Sequence, residues 1–163
     1  MGINIRQKGQ EGEREIARAL DDIVKEVLGQ CGQPVPEKPV VQRNQNQSAV
    51  GGADLTGTYG LIIEIKRQEQ LSINTWWKQC EKSAKECNGL PVLLYRQSRK
   101  PWKCVTYAEL PLWSNGAFLG LQRVRVEISW EDFLAWFRQW VVNMVVNGID
   151  DAKVEMESVR LLA

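Results

Sequence analysis

The six residues Leu61-Ile62-Ile63-Glu64-Ile65-Lys66 constrain this chain more than any other stretch. Four aliphatic residues, three of them β-branched, read as a strand. Alternation puts Leu61, Ile63 and Ile65 on one face and Ile62, Glu64 and Lys66 on the other. A strand apolar on both faces belongs at the centre of a sheet covered on both sides. This predicts an α/β architecture, with Glu64 and Lys66 standing where core gives way to a cleft.

Asp54 lies ten residues before Glu64. Residues 53–58 and 61–66 read as two strands joined around "TGTYG". A hairpin with an odd-length loop sets Asp54 opposite Glu64, with Cβ atoms about 4.5–5.5 Å apart, where like charges repel. A cation between them removes the conflict. Mg²⁺ fits, because it takes oxygen ligands at about 2.0–2.1 Å and binds through one or two carboxylates plus phosphate. Lys66, on the same face, can hold or deprotonate a water beside that ion. The set suits metal-assisted phosphodiester hydrolysis. On spacing alone, Glu-x-Lys also marks ordinary solvated strand faces, and that plainer reading stays open.

Elsewhere the pattern predicts a helix over 10–29, ended by Gly29 and followed by the proline-rich linker "CGQPVPEKP". "VVQR" (40–43) is a short strand and "NQNQSAVGG" (44–52) a polar loop. A second helix spans 74–87, with Trp76, Cys80, Ala84 and Cys87 as its apolar stripe and Asn88-Gly89 at its end. Strands follow at 91–95, 103–107 and 121–128. Ser129 with Asp132 opens a Trp-rich helix over 130–147 in a capping-box arrangement. Its Trp136, Phe137 and Trp140 present a candidate partner face; packing within the chain is the alternative.

Composition narrows the chemistry. The chain has 163 residues, no histidine and four cysteines, none in a C-x-x-C pair. His-dependent nucleophiles and His-containing zinc sites are excluded, and reduced thiols are expected. Catalysis must use carboxylates, lysine, hydroxyls or a hard metal ion. Residues 1–105 hold 16 Lys/Arg against 12 Asp/Glu, and residues 106–163 hold 5 against 8. A mildly basic front permits a nucleic-acid partner. Charged residues from Arg6 to Arg14 precede any apolar run, and no apolar stretch approaches the ~18–20 residues of a membrane span. No leader and no membrane partner are expected, and a cytoplasmic location is.

Asp followed by a strand bearing Glu-x-Lys resembles the signature of the PD-(D/E)xK nucleases, with "AD" (53–54) in place of "PD". "KGQEGERE" (8–15) resembles the K-G-x-x-x-E-R-E opening of archaeal-type Holliday junction resolvases. "GLPVLL" (89–94) and "PWKCV" (101–105) resemble two of their later strands. The resemblance covers roughly residues 6–107 and implies a restriction-endonuclease-like mixed β-sheet flanked by helices. Residues 1–107 would be the nuclease core and 108–163 a C-terminal helical extension, packed on the same domain or at a dimer interface.

The resemblance further implies roles. Glu13, Asp54 and Glu64 would be catalytic metal ligands, and Lys66 the catalytic lysine. Lys8, Arg14 and Arg43 match basic residues that contact DNA, and Ser48 lies in a loop that often carries a functional hydroxyl. Positions where the family sets aromatic residues near its dimer contact hold Ser83 and Cys87 here. The implied activity is a Mg²⁺-dependent endonuclease, with Mn²⁺ as substitute, that resolves four-way DNA junctions as a homodimer. The alternatives are another DNA nuclease of the superfamily, restriction-like or for repair, and a non-catalytic nucleic-acid-binding module.

Overall fold

A computed structural model describes residues 4–45 and 52–148. Helix α1 spans Ile5–Gln30, begun by Asn4, whose side chain accepts from the Arg6 amide at 3.0 Å. Two short strands, β1 (Gln42–Arg43) and β2 (Leu55–Thr56), pair antiparallel. Then come β3 (Leu61–Arg67), α2 (Ile73–Cys87), β4 (Leu90–Arg96), β5 (Lys103–Ser114), β6 (Ala117–Ser129) and α3 (Trp130–Val146). The larger sheet has the order β3-β4-β5-β6, with β3 and β4 parallel across α2 and the other pairings antiparallel.

Three layers result. Ile16, Leu20, Val24 and Val27 of α1 meet Leu61, Ile63 and Ile65 of β3, Val92 and Leu94 of β4, and Phe133, Phe137 and Val141 of α3 in one core. On the other sheet face, Trp76, Trp77 and Cys80 of α2 pack on Leu93, Tyr95 and Val105. Asn88 ends α2 in the left-handed conformation, with φ 55°. Gly89 permits the close passage that follows, since a Cβ there would lie 2.6 Å from the Gly60 carbonyl oxygen.

Three expectations need correction. First, residues 53–58 and 61–66 form no hairpin ladder; β2 pairs with β1 instead. Gly57 (φ 76°), Tyr59 (φ 54°) and Gly60 (φ 87°) give the turn left-handed bends that break a continuous ladder. Second, β3 is an edge of its sheet, not a central strand. It is apolar on both faces because α1 and α2 cover it, and the Asp54 amide caps its free side by donating to the Ile63 carbonyl at 2.9 Å.

Third, Trp136, Phe137 and Trp140 do not form one exposed face. Phe137 has 0% exposure in the core, and the Trp140 indole donates to the Tyr59 carbonyl at 3.0 Å. The Ser129 hydroxyl accepts from the Asp132 amide at 3.0 Å, so the expected cap starts α3, and α3 then packs on α1. The strands expected at 103–107 and 121–128 run on as one long hairpin, so β5 continues through position 107 without a break. Among the described residues no helix is long and apolar enough to cross a membrane.

Candidate active site

The C-terminal half of β3 opens onto a cleft of about 390 Å³ lined by Glu13, Gly52, Asp54, Glu64, Ile65, Lys66 and Gln79. Four separate segments supply these groups. Asp54 arrives on the strand edge, with its carboxylate accepting from the Ile65 amide at 2.6 Å. Its main-chain bond to Ile63 and this side-chain bond to Ile65 straddle Glu64. The two acids are thus neighbours, as expected, by a different route from the one expected.

Glu64 is 3% exposed, and its Oε1 meets the Lys66 ammonium at 2.7 Å and the Gln79 amide at 2.9 Å. Lys66 also reaches the Gln79 side-chain oxygen at 3.4 Å. Glu13 projects from α1 and pairs with Arg43 Nε at 2.6 Å. Arg43 is held in turn by a structural clamp. Buried Asp21 accepts from the Val40 and Val41 amides at 2.6 and 3.0 Å, fixing the approach to β1.

Burial, then the Glu64 charge, pushes the Asp54 carboxyl up to about 8. Glu64 is also raised, chiefly by burial, with Lys66 opposing the shift. Two acids held this way favour any added positive charge.

A cleft of about 490 Å³ adjoins the first, sharing Glu13, Ile65 and Lys66 and adding Arg6, Arg43, Asn44 and Arg67. A third, of about 360 Å³, continues from Arg43 past Arg14 and Arg18. Together they make a basic track passing the carboxylates.

The sequence profile of the family described as "Phage putative PDDEXK endonuclease" matches residues 4–143. The chain belongs to this family. It is therefore a PD-(D/E)xK nuclease, a class generally dependent on a divalent metal ion, with DNA as its substrate. No curated protein matches the chain. Among solved structures it is similar to Hjc of Archaeoglobus fulgidus, a Holliday junction resolvase. Identity is 12% and the TM-score 0.43, over 78% of this chain and 96% of that one.

The PDDEXK site has the right donors for a hard cation. Asp54 and Glu64 offer carboxylate oxygens, and Glu64 Oε2 is buried with no hydrogen-bond partner. Glu13, turned toward Arg43, lies at the rim. Among the described residues no three acidic, histidine or cysteine side chains already converge as a ligand set.

Of the expected DNA-contacting residues, Arg43 and Arg14 line the basic track. Lys8 lines none of the three clefts and forms an ion pair with Glu69. Ser48 falls outside the described residues. Sequence reasoning missed Gln79, Arg6, Arg18 and Arg67. Gln79 gave no signal, being an exposed polar residue next to buried Cys80 on α2.

Proposed function

We propose that the chain is a Mg²⁺-dependent, structure-selective endonuclease that resolves four-way DNA junctions by paired symmetric nicks. The observation that carries the reading is the gathering of Asp54, Glu64 and Lys66 around one cleft beside the Glu13–Arg43 pair.

Asp54 and Glu64 would hold the divalent ion, Mg²⁺ or Mn²⁺ in its place, and Glu13 would join directly or through water. The bound ion supplies Lewis acidity at the phosphate and makes water a better nucleophile near neutral pH. Lys66, an ammonium held against Glu64 and beside Gln79, would orient the attacking water by donating to it, and the water's proton passes to bulk solvent. The Ile65 amide keeps Asp54 turned into the cleft. Arg43, Arg14 and their neighbours bind phosphates on either side of the scissile bond, positioning the strand without reading its sequence. Selectivity then comes from branch geometry. A junction offers two symmetric strands, so a two-fold pair of subunits is the natural agent.

The test is cleavage of a four-way junction beside matched linear duplex, flap and single-stranded DNA, with and without Mg²⁺. Symmetric nicks in the junction, sealable by ligase and far faster than duplex cutting, are expected. Equal rates on linear duplex would replace the resolvase reading with a restriction-like or repair nuclease. Tight DNA binding with no metal-dependent cleavage of any substrate would leave a binding module.

A further inference from the structure

The β5–β6 hairpin outgrows the sheet it belongs to. β4 pairs with β5 only as far as Val105, yet β5 and β6 stay paired to Ser114 and Ala117. The projecting arm is well built: Asn115 (φ 49°) and Gly116 (φ 78°) form its turn, and Trp113 stacks edgewise on Phe118 at 5.5 Å. Residues 110–122 contain no Asp, Glu, Lys or Arg. Leu110, Leu112, Trp113, Phe118, Leu119 and Leu121 are all exposed, Trp113 and Leu119 by 63%. Such an arm is an association surface unless it is covered.

Its place and chemistry argue against DNA. Glu64 lies level with Leu93 and Val105 in the sheet, and β5 runs from there away from the C-terminal end of β3. At about 3.3 Å per residue the arm's turn is roughly 30 Å from the catalytic acids. An uncharged ribbon also has nothing with which to neutralise phosphate.

The same face of the same ribbon carries a receptor for it. Thr106, Ala108, Leu110 and Leu112 alternate onto one side of β5. Below the arm, Thr106, Ala108, Val126 and Ile128 floor an apolar groove of about 320 Å³, walled by Trp136 and Trp140 of α3. Arm and groove are thus continuous, and a two-fold axis brings each arm onto the other copy's groove. Leu110 and Leu112 lie on the groove's face of the ribbon, and Trp113, Phe118 and Leu121 on the other. Enclosed on both faces by a second copy, the six exposed arm residues offer on the order of 600 Å² of apolar surface, close to the ~800 Å² that each partner buries in a standard interface.

We infer that the β5–β6 arm is a dimerisation element. In a symmetric pair, Leu110 and Leu112 of each copy lie against the Trp136/Trp140 groove of a second copy of this chain. The pairing deepens the two-site reading above by naming its surface. It leaves both catalytic clefts uncovered.

The test is the mass of the full chain in solution, by light scattering from 1 to 100 µM, with no DNA present. Twice 18.6 kDa is expected for the wild type. The double variant Leu112→Glu/Trp113→Glu on the arm, and separately Ala108→Arg on the groove floor, should raise the dimer dissociation constant at least 100-fold. Circular dichroism and melting temperature should stay near wild type for the arm variant, because its side chains are exposed. Should Ala108→Arg fail to fold, Leu119→Lys on the arm replaces it. A monomeric wild type would overturn the inference, as would a dimer indifferent to every folded variant. A wild-type monomer that co-sediments with phosphatidylcholine vesicles would make the arm a membrane contact instead. None of these outcomes touches the nuclease reading, whose test is metal-dependent cleavage.

Discussion

Replacing Asp54 with asparagine should make the metal-free protein more stable at alkaline pH while abolishing cleavage. The folded chain raises the Asp54 carboxyl from 3.8 to about 8, through burial first and the Glu64 charge second. At 1.36 kcal/mol per unit, ionising Asp54 in the metal-free fold costs on the order of 5 kcal/mol relative to the unfolded chain. Between the two values the folded state holds a proton that the unfolded state has lost. Stability therefore falls as pH rises through this window, and the loss is complete above about pH 8. Asparagine has no such window, and it keeps an oxygen for the Ile65 amide, now 2.6 Å from the Asp54 carboxylate. Urea denaturation in EDTA at pH 5 and pH 9 checks this. The wild type should lose stability relative to Asp54→Asn between the two, leaving the variant ahead by about 3 kcal/mol at pH 9. The gap is below the full figure because Glu64 shares the burden and the site relaxes. Parallel pH curves, or a less stable variant at pH 9, would refute the reasoning. So would a variant that still cuts DNA.

Lys66→Ala and Lys66→Arg should each lose at least 100-fold in single-turnover cleavage with metal binding retained, because arginine carries the charge without the compact ammonium; calorimetric titration with Mn²⁺ separates the two effects. Gln79→Leu should slow cleavage about 10-fold and leave DNA affinity unchanged, since Gln79 touches Glu64 and Lys66 but not the basic track; filter binding beside kinetics reads both. Arg43→Ala should weaken junction binding and flatten its salt dependence by about one phosphate contact, measured as the slope of log affinity against log salt. Phe137→Ala should cost about 3–5 kcal/mol in denaturant unfolding, because the ring is fully buried against α1 and the sheet.

Helical spacing exposed α1, α2 and α3, and the ends at Asn88 and Ser129 were legible because capping acts over only a few residues. The start of α1 was not, since its polar first turns, begun by Asn4 rather than near residue 10, carry no apolar period. The Asp54, Glu64 and Lys66 constellation was legible for the same reason: three charges near an aliphatic strand conflict with burial unless they do chemistry. What pairs with what was not legible. β3 reads as central because sequence reports burial, not the hydrogen-bond neighbour, and an edge covered by the Asp54 segment is as dry as an interior. Phe137 and Trp140 look like surface because α3 is apolar nearly all round, and only the arrival of α1 decides which side is inside. The arm escaped notice because 110–122 lacks the strict polar alternation of a half-buried strand. Gln79 was invisible, since its role exists only once α2 lies over β3.

The contact between α3 and α1 also sets a timetable for making the enzyme. Arg138 holds Glu26 at 2.7 Å across 112 positions of chain, and Phe133, Phe137 and Val141 cover the α1 stripe that precedes them by a similar span. At a synthesis rate of about 5–20 residues per second, α1 waits on the order of ten seconds for its cover. Glu13 stands on α1, so a nascent chain displays every acidic residue of the cleft before α3 can cover the helix that carries one of them. A ribosome-bound fragment ending before α3 therefore carries all the acidic residues of the cleft while the Phe133, Phe137 and Val141 side of its core is still bare.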